Sequence, residues 1–168
     1  MGHINAVKTT GKDEWYTPLS GVEIIRPYIP PWWKVWCPFD TAQSNFVKVF
    51  TEQGNTVIKG HLSEGMDYFN YCPEYDALVS NPPFSRINDV LERAYLLNKP
   101  FALLASIMAI FDGQKRFQLL KAYDDIQILI PERRIKFMED FEGNGRTSPA
   151  FKAVYICRGI LPKQICFE

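Results

Sequence analysis

The chain has 168 residues, of which 46% are hydrophobic and 23% are charged, a composition that predicts one globular domain and excludes disordered and fibrous proteins. Nineteen Lys and Arg residues balance nineteen Asp and Glu residues, so contact with a polyanion requires a local basic patch rather than a net positive charge. Aromatic residues make up 14% of the chain, which is enough to line a flat ligand site.

Hydrophobic patterning along the chain alternates between strand-like and helix-like segments, and this alternation predicts an α/β domain with a mostly parallel sheet and helices on both faces. In such sheets ligands bind beyond the carboxyl ends of the strands, which here are the loops after Trp36, Lys59, Ser80 and Ser106. Strands are predicted at residues 34–39 (with the exit loop), 56–59, 76–80, 101–106, 126–130, 134–137 and 150–158, and helices at 44–53, 88–97 and 113–123.

Two further sequence patterns limit where the protein is expected in the cell and whether it binds a metal. The longest apolar run, residues 101–111, is too short to span a membrane, and the N-terminus lacks the basic and apolar parts of a leader; a cytoplasmic protein is expected. The four cysteines form no C-x-x-C pair, and only two histidines are present, so no metal site is predicted.

The loop after the strand at residues 76–80 reads Asn81-Pro82-Pro83-Phe84. Two prolines fix two φ angles and remove two N–H donors, so the loop is rigid and rich in acceptors. The Asn81 side-chain oxygen and the Pro82 carbonyl are suited to accept both N–H bonds of an aromatic amine. Phe84 is placed to stack on the ring, a contact worth about 1–3 kcal/mol. The loop therefore indicates a site for a planar amine.

This loop resembles the catalytic motif of the S-adenosylmethionine-dependent N6-adenine methyltransferases, particularly the small phage-type DNA enzymes. Similar motifs follow in the family's order: Trp15-Tyr-Thr-Pro18, the strand and loop at residues 34–40, Gly65-Met-Asp-Tyr-Phe69, and residues 134–137 with 147–151. The resemblance implies a Rossmann-like class I methyltransferase fold with a C-terminal antiparallel hairpin, S-adenosylmethionine as cofactor, and methyl transfer to adenine N6.

The resemblance also implies roles for individual residues, and it makes residues 1–31 a cover over the cofactor pocket. The catalytic residues would be Asn81, Pro82, Pro83 and Phe84. The cofactor would be bound by Tyr16, Thr17, Pro18, Cys37, Pro38, Phe39, Asp40, His61, Asp67 and Tyr68. The substrate would be bound by Phe84, Arg134, Phe137 and Ser148.

The first cofactor loop departs from the family pattern. Cys37 replaces an acid, and Thr41 and Gln43 replace glycines. Asp40 is then the carboxylate expected to bind the ammonium of the cofactor, although an Asp in this place could equally cap the helix that follows. For the ribose, the candidates at the end of the second strand are His61 and Glu64.

The polymer that carries the adenine is less constrained. The chain has no room for a large target-recognition region, which a dimer or a separate specificity partner could supply. DNA is the favoured polymer, and a bacterial or phage-encoded protein is expected. The alternatives are the same chemistry on RNA, the same chemistry on a protein glutamine amide, which is less favoured, and a non-catalytic cofactor-binding relic. Basic residues gather late in the chain and could form a phosphate track: Arg133, Arg134, Lys136, Arg146, Lys152, Arg158 and Lys163.

Overall fold

The structure is a computed structural model that describes residues 15–145 and 149–168. Its strands are β1 (Lys34–Cys37), β2 (Thr56–Lys59), β3 (Ala77–Ser80), β4 (Phe101–Ser106), β5 (Gln127–Ile130), β6 (Ala153–Arg158) and β7 (Ile165–Phe167). Its helices are α1 (Leu19–Glu23), α2 (Asn45–Gln53), α3 (Ile87–Leu96), α4 (Met108–Phe111) and α5 (Gln114–Tyr123). Short 3-10 helices cover Arg26–Tyr28, Leu62–Glu64 and Phe84–Arg86.

All seven strands form one sheet in the order β2-β1-β3-β4-β6-β5-β7. The pairs β1–β2, β1–β3, β3–β4 and β5–β7 are parallel, and β6 runs antiparallel to both of its neighbours, β4 and β5. The predicted fold class, a mostly parallel α/β sheet with a C-terminal antiparallel pair, is confirmed.

Side chains along each strand point alternately to the two faces of the sheet. Both faces are therefore apolar where the strands are buried, and helices cover both. On one face, Val35 and Cys37 of β1 pack in a core with the apolar residues of α1 and α2. On the other face, Trp36 of β1 packs in a second core with the apolar residues of α3. Since β3 is buried along its whole length, it reads as a continuous apolar run rather than an alternating one.

The segment at residues 134–137 forms no strand of the sheet, contrary to expectation. Its side chains alternate as a strand's do: Ile135 and Phe137 are buried, and Arg134 and Lys136 are exposed. The neighbouring place in the sheet is taken by β6, which pairs with β5. The extended segment instead ends in an isolated bridge between Met138 and Tyr16. Within the described residues, no helix is long and apolar enough to cross a bilayer.

Candidate functional site

A cavity of about 310 Å³ opens at the carboxyl ends of β1, β2 and β3, the edge at which open α/β sheets bind ligands. Residues 15–17 and Phe141 complete its wall from outside the sheet. The lining residues are Trp15, Tyr16, Thr17, Pro38, Phe39, Asp40, Ser44, Asn45, His61, Leu62, Met66, Asp67, Tyr68, Phe69, Asn81, Pro82, Pro83, Phe84, Arg86 and Phe141.

Asn81 is held in one orientation at this cavity. Its Nδ2 donates a hydrogen bond of 2.8 Å to the Trp15 carbonyl, and because a carbonyl can only accept, the amide nitrogen must be the group that faces it. The Oδ1 atom is therefore turned away from Trp15. It is buried and has no hydrogen-bond partner among the described residues. The Pro82 carbonyl likewise accepts no hydrogen bond from the described residues. Two acceptors without donors thus lie in consecutive residues.

The ring of Phe84 is fixed by two edge contacts. Its centroid lies 6.0 Å from that of Phe137 and 5.5 Å from that of Phe151, with interplanar angles of 83° and 77°, an arrangement that aromatic pairs favour. Phe137 is only 1% exposed and does not line the cavity. The structure therefore places Phe137 behind Phe84, outside the cavity wall, where it supports that ring.

Asp40 brings a carboxylate into the cavity wall directly after β1. The Ser44 hydroxyl donates to its Oδ1 at 2.5 Å, and the Ser80 hydroxyl donates to its Oδ2. Burial raises the pKa of Asp40 to about 6, although both hydroxyl hydrogen bonds lower it. Helix α2 is capped by Ser44, whose Oγ accepts from the Phe46 N–H, so Asp40 is not the cap of this helix.

Aromatic and apolar side chains form the wall beside the carboxylate. The rings of Phe39 and Tyr68 lie 5.0 Å apart between centroids, and those of Tyr68 and Phe69 lie 5.1 Å apart. The guanidinium of Arg86 stands 4.1 Å from the centroid of Phe69. Tyr68 is largely a core residue: its hydroxyl donates to the Val90 carbonyl, and burial raises its pKa. This wall suits a flat, π-faced group.

His61 and Asp67 also line the cavity, but local structure engages both. The Nδ1 atom of His61 accepts from the Ser63 N–H at 3.2 Å, at the start of a 3-10 helix. Asp67 accepts the Phe69 N–H on Oδ1 and the Asn70 amide on Oδ2. Glu64, the other ribose candidate, forms an ion pair of 2.8 Å with Lys59 and does not line the cavity.

Residues 15–18, here named the N-terminal strap, include Tyr16 in an isolated β-bridge and Pro18 in an extended conformation. Residues 15–17 of the strap line the cavity. Tyr16 pairs with Met138 through both backbone groups, at 3.0 and 2.9 Å, and its ring lies 3.9 Å from that of Phe141. The Thr17 carbonyl accepts from Asn45 Nδ2 at 2.9 Å. The strap is thus tied to α2, to the loop after β3 and to Met138.

Twelve of the residues predicted for the site line this one cavity: Tyr16, Thr17, Pro38, Phe39, Asp40, His61, Asp67, Tyr68, Asn81, Pro82, Pro83 and Phe84. Others do not. Cys37 is fully buried in the core, and burial raises the pKa of its thiol. Pro18 precedes α1, and Arg134 is exposed outside the cavity. Ser148 lies outside the described residues.

Sequence patterns did not reveal several lining residues, notably Asn45, Met66, Arg86 and Phe141. Asn45 had a usable signal, since it follows a serine cap directly after the Asp40 loop. No sequence pattern indicates Phe141, because its position at the cavity depends on the path of residues 138–141. In the described part of the chain, no group of three or more His, Cys, Asp and Glu side chains could hold a metal ion.

Comparisons with known proteins support the fold. No protein-family model and no curated protein matches the sequence. The structure is similar to that of a modification subunit of a putative type I restriction enzyme from Vibrio vulnificus, with a TM-score of 0.58, 11% identity, and coverage of 88% of this chain and 45% of that one. It also resembles a putative class I S-adenosylmethionine-dependent methyltransferase from Listeria monocytogenes (TM-score 0.47, 12% identity, 90% of this chain, 64% of that one).

This chain therefore spans less than half the length of the Vibrio subunit and under two thirds of the Listeria protein. At such low sequence identities, the similarity shows a shared backbone fold and nothing about function. Together with the strand order, the likeness to the Vibrio subunit confirms the predicted Rossmann-like α/β fold.

Proposed function

We propose that this protein transfers a methyl group from S-adenosylmethionine to the N6 amine of adenine in DNA. The observation that carries the proposal is Asn81, whose Nδ2 is engaged by the Trp15 carbonyl while its buried Oδ1 has no partner among the described residues. Leaving a buried acceptor unpaired costs about 1–3 kcal/mol, which a bound N–H donor would recover. Because this oxygen exposes less than 1 Å², the cavity wall must part locally to admit the amine.

The residues of the cavity fit the cofactor. The Asp40 carboxylate is suited to an ammonium group, and the wall of Phe39, Tyr68 and Phe69 is suited to an adenine ring. Thr17 contributes Oγ1, a second buried polar atom without a partner among the described residues. When bound, S-adenosylmethionine supplies an electrophilic methyl group on a sulfonium. A cavity of about 310 Å³ is within the range of small-molecule sites.

The loop of residues 81–84 would prepare the amine for attack. The nitrogen of adenine N6 is a weak nucleophile because its lone pair is delocalised into the ring. Asn81 Oδ1 and the Pro82 carbonyl would each accept one N–H bond, which favours tetrahedral geometry and brings the lone pair out of the ring plane. Phe84, fixed by Phe137 and Phe151, would stack on the base. No strong general base is needed, since the nitrogen loses its proton readily once it is methylated and cationic.

Two observations support DNA as the polymer. The fold is similar to that of a modification subunit of a putative type I restriction enzyme, and exposed basic residues follow β5 at the edge of the sheet that holds the cavity. A target in a duplex would have to be flipped out of the stack, at a cost of a few kcal/mol. Sequence recognition would come from a second copy of the chain or from a separate specificity subunit.

Methyl transfer from S-adenosylmethionine to duplex DNA, single-stranded DNA and RNA, measured in parallel, tests the proposal. Modified nucleosides are identified by mass spectrometry, and the protein is compared with Asn81→Ala and with Asn88→Ala, an asparagine of α3 outside the cavity. We expect N6-methyldeoxyadenosine from the wild type and from Asn88→Ala. Asn81→Ala should lose about 10²–10³-fold in turnover, by analogy with the removal of one transition-state hydrogen bond elsewhere, while its affinity for the cofactor changes only a few-fold.

Each other outcome corrects a named part of the proposal. Product in RNA alone would retain the chemistry and overturn the choice of polymer. Wild-type turnover by Asn81→Ala would overturn the assignment of the site. If no polymer is methylated, a titration with S-adenosylmethionine decides between a different amine substrate and loss of the cofactor site.

A further inference from the structure

The geometry points to Asn45 as a positioning residue for this reaction, acting on Asn81 through the N-terminal strap. This inference rests on the proposed function. Asn45 is the first residue of α2, but the capping of that helix is done by Ser44. The side-chain amide of Asn45 is therefore not used to cap the helix, and it donates to the Thr17 carbonyl at 2.9 Å.

The strap connects Asn45 to Asn81 through two hydrogen bonds, whose acceptors, the carbonyls of Trp15 and Thr17, are two residues apart. In extended backbone, successive carbonyls point in opposite directions. The carbonyls of Trp15 and Thr17 therefore point to one side of the strap, and the carbonyl of Tyr16 points to the other side. The contacts follow this alternation. Trp15 and Thr17 each accept from an asparagine amide, while Tyr16 pairs with Met138 on the opposite side.

The position of the Trp15 carbonyl decides where Asn81 Oδ1 points. If the carbonyl moves, the Asn81 amide loses the acceptor that fixes its orientation, and its oxygen is no longer held toward the amine. Asn45 anchors the strap together with the backbone pairing to Met138 and the ring contact of Tyr16 with Phe141. Loss of this anchor should lower the rate of transfer more than it weakens cofactor binding, since small misplacements of reacting groups are costly.

Two variants test this role, Asn45→Ala and Asn45→Asp. Both remove the N–H donor to Thr17, but only the aspartate adds a charge near Asp40, so an effect shared by both is caused by the lost donor. Alanine is well tolerated in a helix, and aspartate in a first turn interacts favourably with the helix dipole; both proteins should fold. Asn88→Ala, in the first turn of α3, is the matched control.

We expect kcat to fall about 10–100-fold in both variants, with the dissociation constant of S-adenosylmethionine within a few-fold of the wild-type value. Hydrogen exchange of the Tyr16 amide, which donates to Met138, should become about tenfold faster in both. Asn88→Ala should change none of these quantities.

The inference is overturned if kcat stays within twofold of wild type in an active protein, which leaves the proposed function intact. It is also overturned if kcat falls without faster exchange at Tyr16, or if cofactor affinity falls as much as kcat, because Asn45 would then act directly on a ligand. A wild-type protein without methyl transfer on any polymer would instead overturn the proposed function.

Discussion

Asp40 is a buried acid whose environment opposes its own charge. Its pKa is raised from 3.8 to about 6, chiefly by burial, and this difference corresponds to about 3 kcal/mol. Because the folded protein holds this proton more tightly than the unfolded chain, stability falls as the pH rises from about 4 to about 6. Such a cost at neutral pH is expected where a carboxylate is kept for a cationic ligand.

Asp40→Asn should separate stability from binding. Asparagine does not titrate, so the stability of the variant relative to wild type should improve between pH 4 and pH 7, by up to about 3 kcal/mol. Its affinity for S-adenosylmethionine at neutral pH should fall roughly 10–100-fold, since a charge-assisted hydrogen bond is lost. Denaturant unfolding at several pH values and calorimetric titration check the two effects. A relative stability that is independent of pH would contradict the raised pKa, and unchanged affinity would remove Asp40 from the site.

At the scale of elements, α2 joins the cavity to the far edge of the sheet. Its first turn carries Ser44 and Asn45, and its last turn ends at Gly54, which has a φ of +102°. The Gly54 N–H donates to the Phe50 and Thr51 carbonyls. Apart from adjacent backbone, no atom of the described residues lies within 4 Å of a Cβ placed on this glycine, so the cost of a side chain there is conformational rather than steric.

Gly54→Ala should therefore destabilise the protein by about 1–2 kcal/mol, the penalty of a left-handed backbone for a residue with a Cβ. Gly54→Asn should cost less, because asparagine tolerates this conformation. Thermal unfolding measures both changes. Turnover at a temperature where all variants are folded should be unchanged, since Gly54 is at the end of α2 remote from Ser44. Equal destabilisation by alanine and asparagine would contradict the explanation.

At the scale of the whole molecule, the sheet sorts the late basic residues onto two edges. Arg133, Arg134 and Lys136 are exposed and follow the carboxyl end of β5, at the edge that holds the cavity. Lys163 precedes β7, which runs parallel to β5, and Arg158 ends the antiparallel β6 and pairs with Asp125 at 2.6 Å. The last two residues therefore belong to the opposite edge. Arg146, another member of the predicted phosphate track, lies outside the described residues.

The double substitution Arg134→Gln/Lys136→Gln should weaken binding to DNA and reduce the slope of log K against log salt by about 1–2, because each phosphate contact contributes roughly 0.9. Lys163→Gln, at the other edge, should leave affinity and slope unchanged. Fluorescence anisotropy with a labelled duplex at several salt concentrations measures both. An equal loss in the two proteins would place the polyanion contact elsewhere on the surface.

Local sequence was sufficient to predict β1 to β6 and the helices α2, α3 and α5, because buried strands and amphipathic helices have distinct hydrophobic periods. The sequence did not predict β7, α1 or α4. These elements have three, five and four residues, too few for a period to appear. Residues 134–137 have the period of a strand, but whether an extended segment joins a sheet depends on which partner occupies the neighbouring place.

By itself, the amino-acid sequence determined the fold class and the chemical character of the loop at residues 81–84, since both depend on residues close together in the chain. Only the tertiary structure decided that Phe137 supports Phe84, that Cys37 belongs to the core, and that Asn81 is oriented by a carbonyl. Trp15 is 66 positions from Asn81, and Thr17 is 28 positions from Asn45. Contacts over such separations leave no local period, because they exist only once the sheet has brought its loops to one edge.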